Sequence, residues 1–91
     1  MKLTEKLEHI SLGDAVEIFK NELRNSYPDS KFLIDGDGYE DEDLDLNVYA
    51  NGDEIEIGKY AAEVSYIVQQ RTGYFILPFI LPLTSYPLGD R

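Results

Sequence analysis

Between Leu44 and Ile57 the chain alternates apolar and polar residues around an Asn51-Gly52 pair, and no other stretch constrains the fold as much. Leu44, Leu46, Val48 and Ala50 share one face before the pair, and Ile55 and Ile57 share one after it. Alternation with period two marks a strand with one buried face, and Asn-Gly between two such runs predicts a two-residue hairpin. With a type I′ turn, Ala50 pairs with Asp53, Val48 with Ile55 and Leu46 with Ile57. Asn47 then lies opposite Glu56, and Tyr49 opposite Glu54. A slip by one residue would bury the acids, so this register is well specified.

The flanking segments supply layers to cover such a ribbon. Ala15, Val16, Phe19, Leu23 and Tyr27 recur at helical spacing behind two candidate capping boxes, Ser11 to Asp14 and Asp14 to Glu17. The pattern predicts a helix over 12–26, ended by Tyr27-Pro28, because the residue before a proline is pushed out of the α region. Lys31 to Asp35 reads as a strand, and Asp35-Gly-Asp-Gly-Tyr39 as a loop. From Lys59 to Arg71, the stripe Ala61, Val64, Ile67 and Val68 predicts a second helix, with Gly73 placed to stop it. Tyr74 to Leu83 is a last strand. Pro78 and Pro82 each remove a donor, which assigns it to an edge or a bulge. Met1 to Ile10 reads either as a short helix or as a frayed arm, and residues 84–91 as a polar tail. The expected architecture is one α+β domain over 1–91: helix, three-stranded antiparallel meander, helix, strand (α-β-β-β-α-β), both helices on one face of the sheet.

The net charge of −10 belongs wholly to residues 32–58. That segment holds ten carboxylates (Asp35, Asp37, Glu40, Asp41, Glu42, Asp43, Asp45, Asp53, Glu54 and Glu56) and no base, while eight acids face eight bases outside it. Such a balance argues against direct contact with nucleic acid or anionic lipid, both polyanions. The chain has no cysteine, which excludes disulfides and thiol chemistry. With no apolar leader at the N-terminus, the expected compartment is the cytoplasm. The most apolar run, Tyr74 to Leu83, is too short and proline-broken for a membrane helix.

On the predicted hairpin, Asp43, Asp45, Glu54 and Glu56 form a carboxylate array on the solvent side, extended by the loop acids Asp35, Asp37, Glu40, Asp41 and Glu42, with Tyr49 as an aromatic contact. The plain reading is a solvated face. The functional reading is an acidic, non-enzymatic binding protein that engages a basic protein surface, as a nucleic-acid mimic inhibiting a DNA- or RNA-handling protein. An alternative uses Asp35, Asp37 and Asp41 as ligands for Ca²⁺, although the end ligands of an EF-hand loop fall on Leu33 and Leu44. Otherwise no cofactor is expected. Phe75, Leu77, Phe79 and Leu81 share one face of the last strand and offer a homodimer contact.

Asp43-Leu-Asp45 on a strand, shortly after Gly36 and preceded by a helix and a strand, resembles a minimal nucleotidyltransferase. The resemblance covers Ala15 to Leu81 in element order and implies paired strand carboxylates holding two metal ions. The chain lacks the Gly-Ser pair of that family after the first strand, and its spacing to Asp43 is short. No catalytic residue is assigned. Neither a Ser-His arrangement nor a phosphate-binding glycine loop is present.

Overall fold

The computed structural model describes residues 10–37 and 42–87, with Asp37 described by its backbone alone. The elements are α1 (Leu12–Arg24), β1 (Lys31–Asp37), β2 (Leu44–Ala50), α2 (Glu54–Thr72) and β3 (Ile76–Pro82), followed by a 3₁₀ turn at Leu83–Ser85. The strands form one sheet in the order β1-β2-β3. β1 runs antiparallel to β2, and β3 runs parallel to it. The fold is α+β, with both helices packed against the sheet, as expected. The sheet is mixed, however, where a purely antiparallel meander was predicted. Expectations for Met1 to His9, for Glu40 and Asp41, and for the last residues of the tail lie outside the described residues.

α1 starts where the sequence places it. Of the two candidate capping boxes, the Ser11 box forms: the Asp14 backbone N–H donates to Ser11 Oγ (3.1 Å), and the Ser11 N–H donates to Asp14 Oδ2 (3.2 Å). Ala15, Val16, Phe19 and Leu23 are buried. They pack with Ala61, Val64 and Val68 of α2 and with Phe32, Leu44, Leu46, Val48 and Ile76 of the sheet. Tyr60 ties the two helices by donating to the Glu22 carbonyl (2.9 Å). Ser65 ties α2 to β3 by donating to the Ile76 carbonyl (2.6 Å).

The predicted hairpin does not form. Asp53 is the N-cap of α2, its carboxylate accepting from the Glu56 N–H (3.0 Å), and residues 54–57 are the first turn of that helix rather than a strand. Glu54 and Glu56 thereby sit where the helix dipole favours negative charge. The reason lies in Ile57, which continues the buried stripe Ala61, Val64 and Val68 backwards by one turn and is 1% exposed, whereas Ile55 is 69% exposed. A strand would have put both isoleucines on the same face. Gly52 makes the change of direction with φ +136°, and a Cβ there would meet Ile57 Cδ1 at 3.4 Å. The partners assigned to β2 by the hairpin are therefore replaced. Leu46 lies between Ile34 and Pro78, Val48 between Phe32 and Ile80, and Tyr49 between Lys31 and Leu81.

β3 is an edge strand, and this is why it tolerates Pro78 and Pro82, which share one parity and direct their missing donors away from β2. The tail after it is more than a polar extension, because the Tyr86 ring packs edge-on against Tyr49, centroids 5.2 Å apart. Among the described residues no helix is long and apolar enough to cross a membrane.

The helical assignment of 54–57 has a direct test. Ile57→Ala should cost about 2–5 kcal/mol in urea unfolding, while Ile55→Ala should stay within about 0.5 kcal/mol. Similar losses at both positions would restore the strand.

Candidate functional site

The topology divides the acidic segment. α2 leaves from the Ala50 end of β2, and the acids Glu42, Asp43 and Asp45 lie at or beyond the Leu44 end. The two groups are separated by a seven-residue strand, roughly 20 Å. The ribbon array expected from the hairpin is thus replaced by two acidic poles, one at the β1–β2 end and one at the start of α2. Tyr49, assigned to the array as an aromatic contact, is buried beside Tyr86 on the sheet face away from the helices.

At the β1–β2 end each acid has a distinct setting. Asp35 is exposed beside the bulge that shifts the β1 register between Ile34 and Gly36. Asp43 extends the β2–β3 ladder by one rung: its N–H donates to the Phe75 carbonyl (2.7 Å), and its Oδ2 accepts from the Phe75 N–H (2.8 Å). That role is structural, and the hydrogen bond occupies one of its two carboxylate oxygens. Asp45, two residues on, lies on the sheet face away from the helices, paired in register with Gly36 and Leu77. It is 0% exposed, and neither carboxylate oxygen makes a well-formed hydrogen bond.

A buried carboxylate without donors favours its neutral form. Loss of solvent raises the Asp45 pKa most. The Glu42 carboxyl, which approaches it and can share a proton, raises it further, as do the charges of Glu42 and Asp35. This buried acid was not legible in the alternation, which put Asp45 on the solvent side. Its cover comes from tertiary structure.

The residues singled out by the nucleotidyltransferase resemblance, Asp43 and Asp45, do not act as a matched pair. One is held by the Phe75 backbone and the other is closed off from solvent. Among the described residues, no three acidic or histidine side chains are gathered closely enough to hold a metal ion as they stand. At the other pole a cleft of about 140 Å³ lies beside Gly52, Ile57, Ile80 and Pro82, and its only titratable lining residue is Glu54. Phe75, Leu77, Phe79 and Leu81 straddle the start and length of β3. Phe79 is 42% exposed and the others are half-buried. Leu77 and Phe79 flank Asp45 and Asn47 on the outer face of the sheet.

The raised pKa of Asp45 fixes the sign of a pH effect. A carboxyl with a folded-state pKa above its unfolded value contributes stability below the unfolded value and loses it as pH rises through the folded one. At neutral pH in a chelating buffer, Asp45→Asn should therefore melt above the native chain. The difference should shrink as pH falls toward the ordinary Asp value of about 3.9, below which Asp45 is protonated in both states. A variant that melts lower at neutral pH would show the carboxylate to be stabilising. Comparison of the chain with family models, with curated proteins and with solved structures found no match.

Proposed function

We propose that the protein works by binding, and that its acidic poles engage a basic surface on a protein partner, of the kind that otherwise holds nucleic acid. The observation that carries this reading is where the molecule's own bases go. The two ion pairs among the described residues are Lys20–Glu17 (3.4 Å) and Arg71–Glu22 (3.7 Å), and neither involves the acidic segment. Arg24 lies over the Phe32 ring at 5.0 Å and donates to the Ser30 carbonyl, and Lys31 lies over the Tyr86 ring at 5.6 Å. These described bases are engaged by helical acids, backbone and aromatic rings, which favours the exposed charges of Asp35, Glu54 and Glu56 acting outward. Uncompensated surface charge of one sign steers association and selects partners of the opposite sign.

Two poles set about 20 Å apart present separate contacts, so the binding energy need not be shared equally between them. Measurement of capture by the immobilised chain, in chelating buffer and across salt concentrations, tests this. Capture should fall steeply at high salt, because screening weakens exposed charge pairs. The paired reversals Asp35→Lys with Asp37→Lys, and Glu54→Lys with Glu56→Lys, should each lower affinity about tenfold or more at the pole that is used, and leave the fold intact. Binding that survives both reversals, or that ignores salt, would transfer the contact to the apolar outer face around Phe79 and end the acidic reading.

A further inference from the structure

We propose that the protein forms a two-fold symmetric dimer in which β1 pairs antiparallel with β1 of a second copy, joining the sheets into one of six strands, three from each copy. The starting point is the unequal treatment of the two sheet edges. β3 closes one edge with Pro78 and Pro82. β1 forms the other edge, pairs only with β2 among the described residues, and contains no proline. Its outward N–H and C=O groups are a template for a further strand. Ile34 marks the place. Opposite Leu46, it shares the helix side of the sheet with Phe32, which lies opposite Val48. Yet Ile34 is 60% exposed where Phe32 is 8% exposed, so the helix layer stops short of this end of β1.

The strand's own sequence selects a second copy as the occupant. Lys31-Phe-Leu-Ile-Asp35 is complementary to itself when reversed. With Leu33 on the two-fold axis, Leu33 faces Leu33, Phe32 faces Ile34 of the second copy, and Lys31 faces its Asp35. Apolar residues then meet apolar ones and each base meets an acid, the cross-strand pairs that stabilise an antiparallel ladder. The bare Ile34 comes to lie beside a Phe32 ring overlain by Arg24 (5.0 Å) and Lys20 (5.9 Å). These two cations and Lys31 make one end of the strand basic, and antiparallel pairing sets that end against the acidic end of its neighbour. Lys31 is exposed, and its long stem is free to turn from the Tyr86 ring toward Asp35. The register shift between Ile34 and Gly36 bends β1 just where this pairing ends. Both edges of the joined sheet are then β3 strands, whose prolines stop further addition, so association closes at two copies.

Sedimentation equilibrium of the purified full chain, with no other protein present, tests the proposal independently of any partner. The mass should rise with concentration from 10.4 kDa to twice that value and no further. Lys31→Asp and Asp35→Lys should each weaken the dimer about tenfold, because each sets two like-charge pairs across the symmetric contact. Both changes in one chain should restore it, which a purely structural role for either residue would not produce. Ile34→Lys should weaken it about tenfold or more by charging the edge. The chain has no cysteine, so a single introduced one reports the register. Residues facing each other in an antiparallel pair stand about 4.5–5.5 Å apart at Cα, within reach of a disulfide. Leu33→Cys should therefore cross-link two copies under mild oxidation, and Ile34→Cys, facing Phe32, should not. A chain that stays monomeric at millimolar concentration overturns the proposal. So does a dimer indifferent to all three charge changes, or equal cross-linking by Leu33→Cys and Ile34→Cys.

Discussion

The parallel pairing of β2 with β3 is the constraint from which the rest of the molecule follows. Two adjacent strands joined by a tight turn must run antiparallel, and parallel neighbours need a crossover long enough to return the chain to its starting end. Here the crossover is α2, and its 19 residues span that return with the Ile57 to Val68 stripe against the core. Once β3 occupies the second side of β2, no place is left there for residues 53–57 as a strand. Their hydrogen bonds are made within the helix, begun by Asp53 as its cap.

The acidic segment is reorganised by the same choice. A hairpin would have concentrated its carboxylates along one ribbon. The crossover sends Glu54 and Glu56 to one end of β2 and keeps Asp35, Glu42, Asp43 and Asp45 near the other. Each end then has its own chemistry. The α2 end carries exposed acids that complement a helix N-terminus. The other end combines an exposed acid, a backbone clamp at Asp43 and the sealed Asp45.

Much of this architecture is legible in the sequence. The 3.6-residue period from Ala15 to Leu23, its Ser11 cap, the alternation of Leu44 to Ala50 and the stop at Gly73 each appear where local physics puts them. The stretch from Asp53 to Ile57 is ambiguous, because Ile55 and Ile57 fit a strand by alternation while Ile57 also fits a helix by its spacing to Ala61. A signal favouring the helix was present: Asp53 followed by Glu56 has the capping-box spacing that marks Ser11 and Asp14 upstream. Asn51-Gly52 outweighed it, although a glycine with positive φ serves the entry to a helix as well as a hairpin. For the site, the sequence localises the acids correctly to the segment but cannot separate Asp45 from Asp43. Both are polar residues of one strand parity, and only the packed sheet decides which one loses contact with water.

β3 brings one more consequence. Its apolar sequence, lying at the margin of the sheet with Phe79 turned outward, would ordinarily invite a neighbouring molecule to zip on as a fourth strand and then a fifth. Pro78 and Pro82 break that invitation, since a newcomer would find two of its rungs unanswered and two rings in its path. Concentrated samples can thus touch through side chains along this border without seeding ribbon growth, which lets a greasy terminus persist on a molecule only 91 residues long.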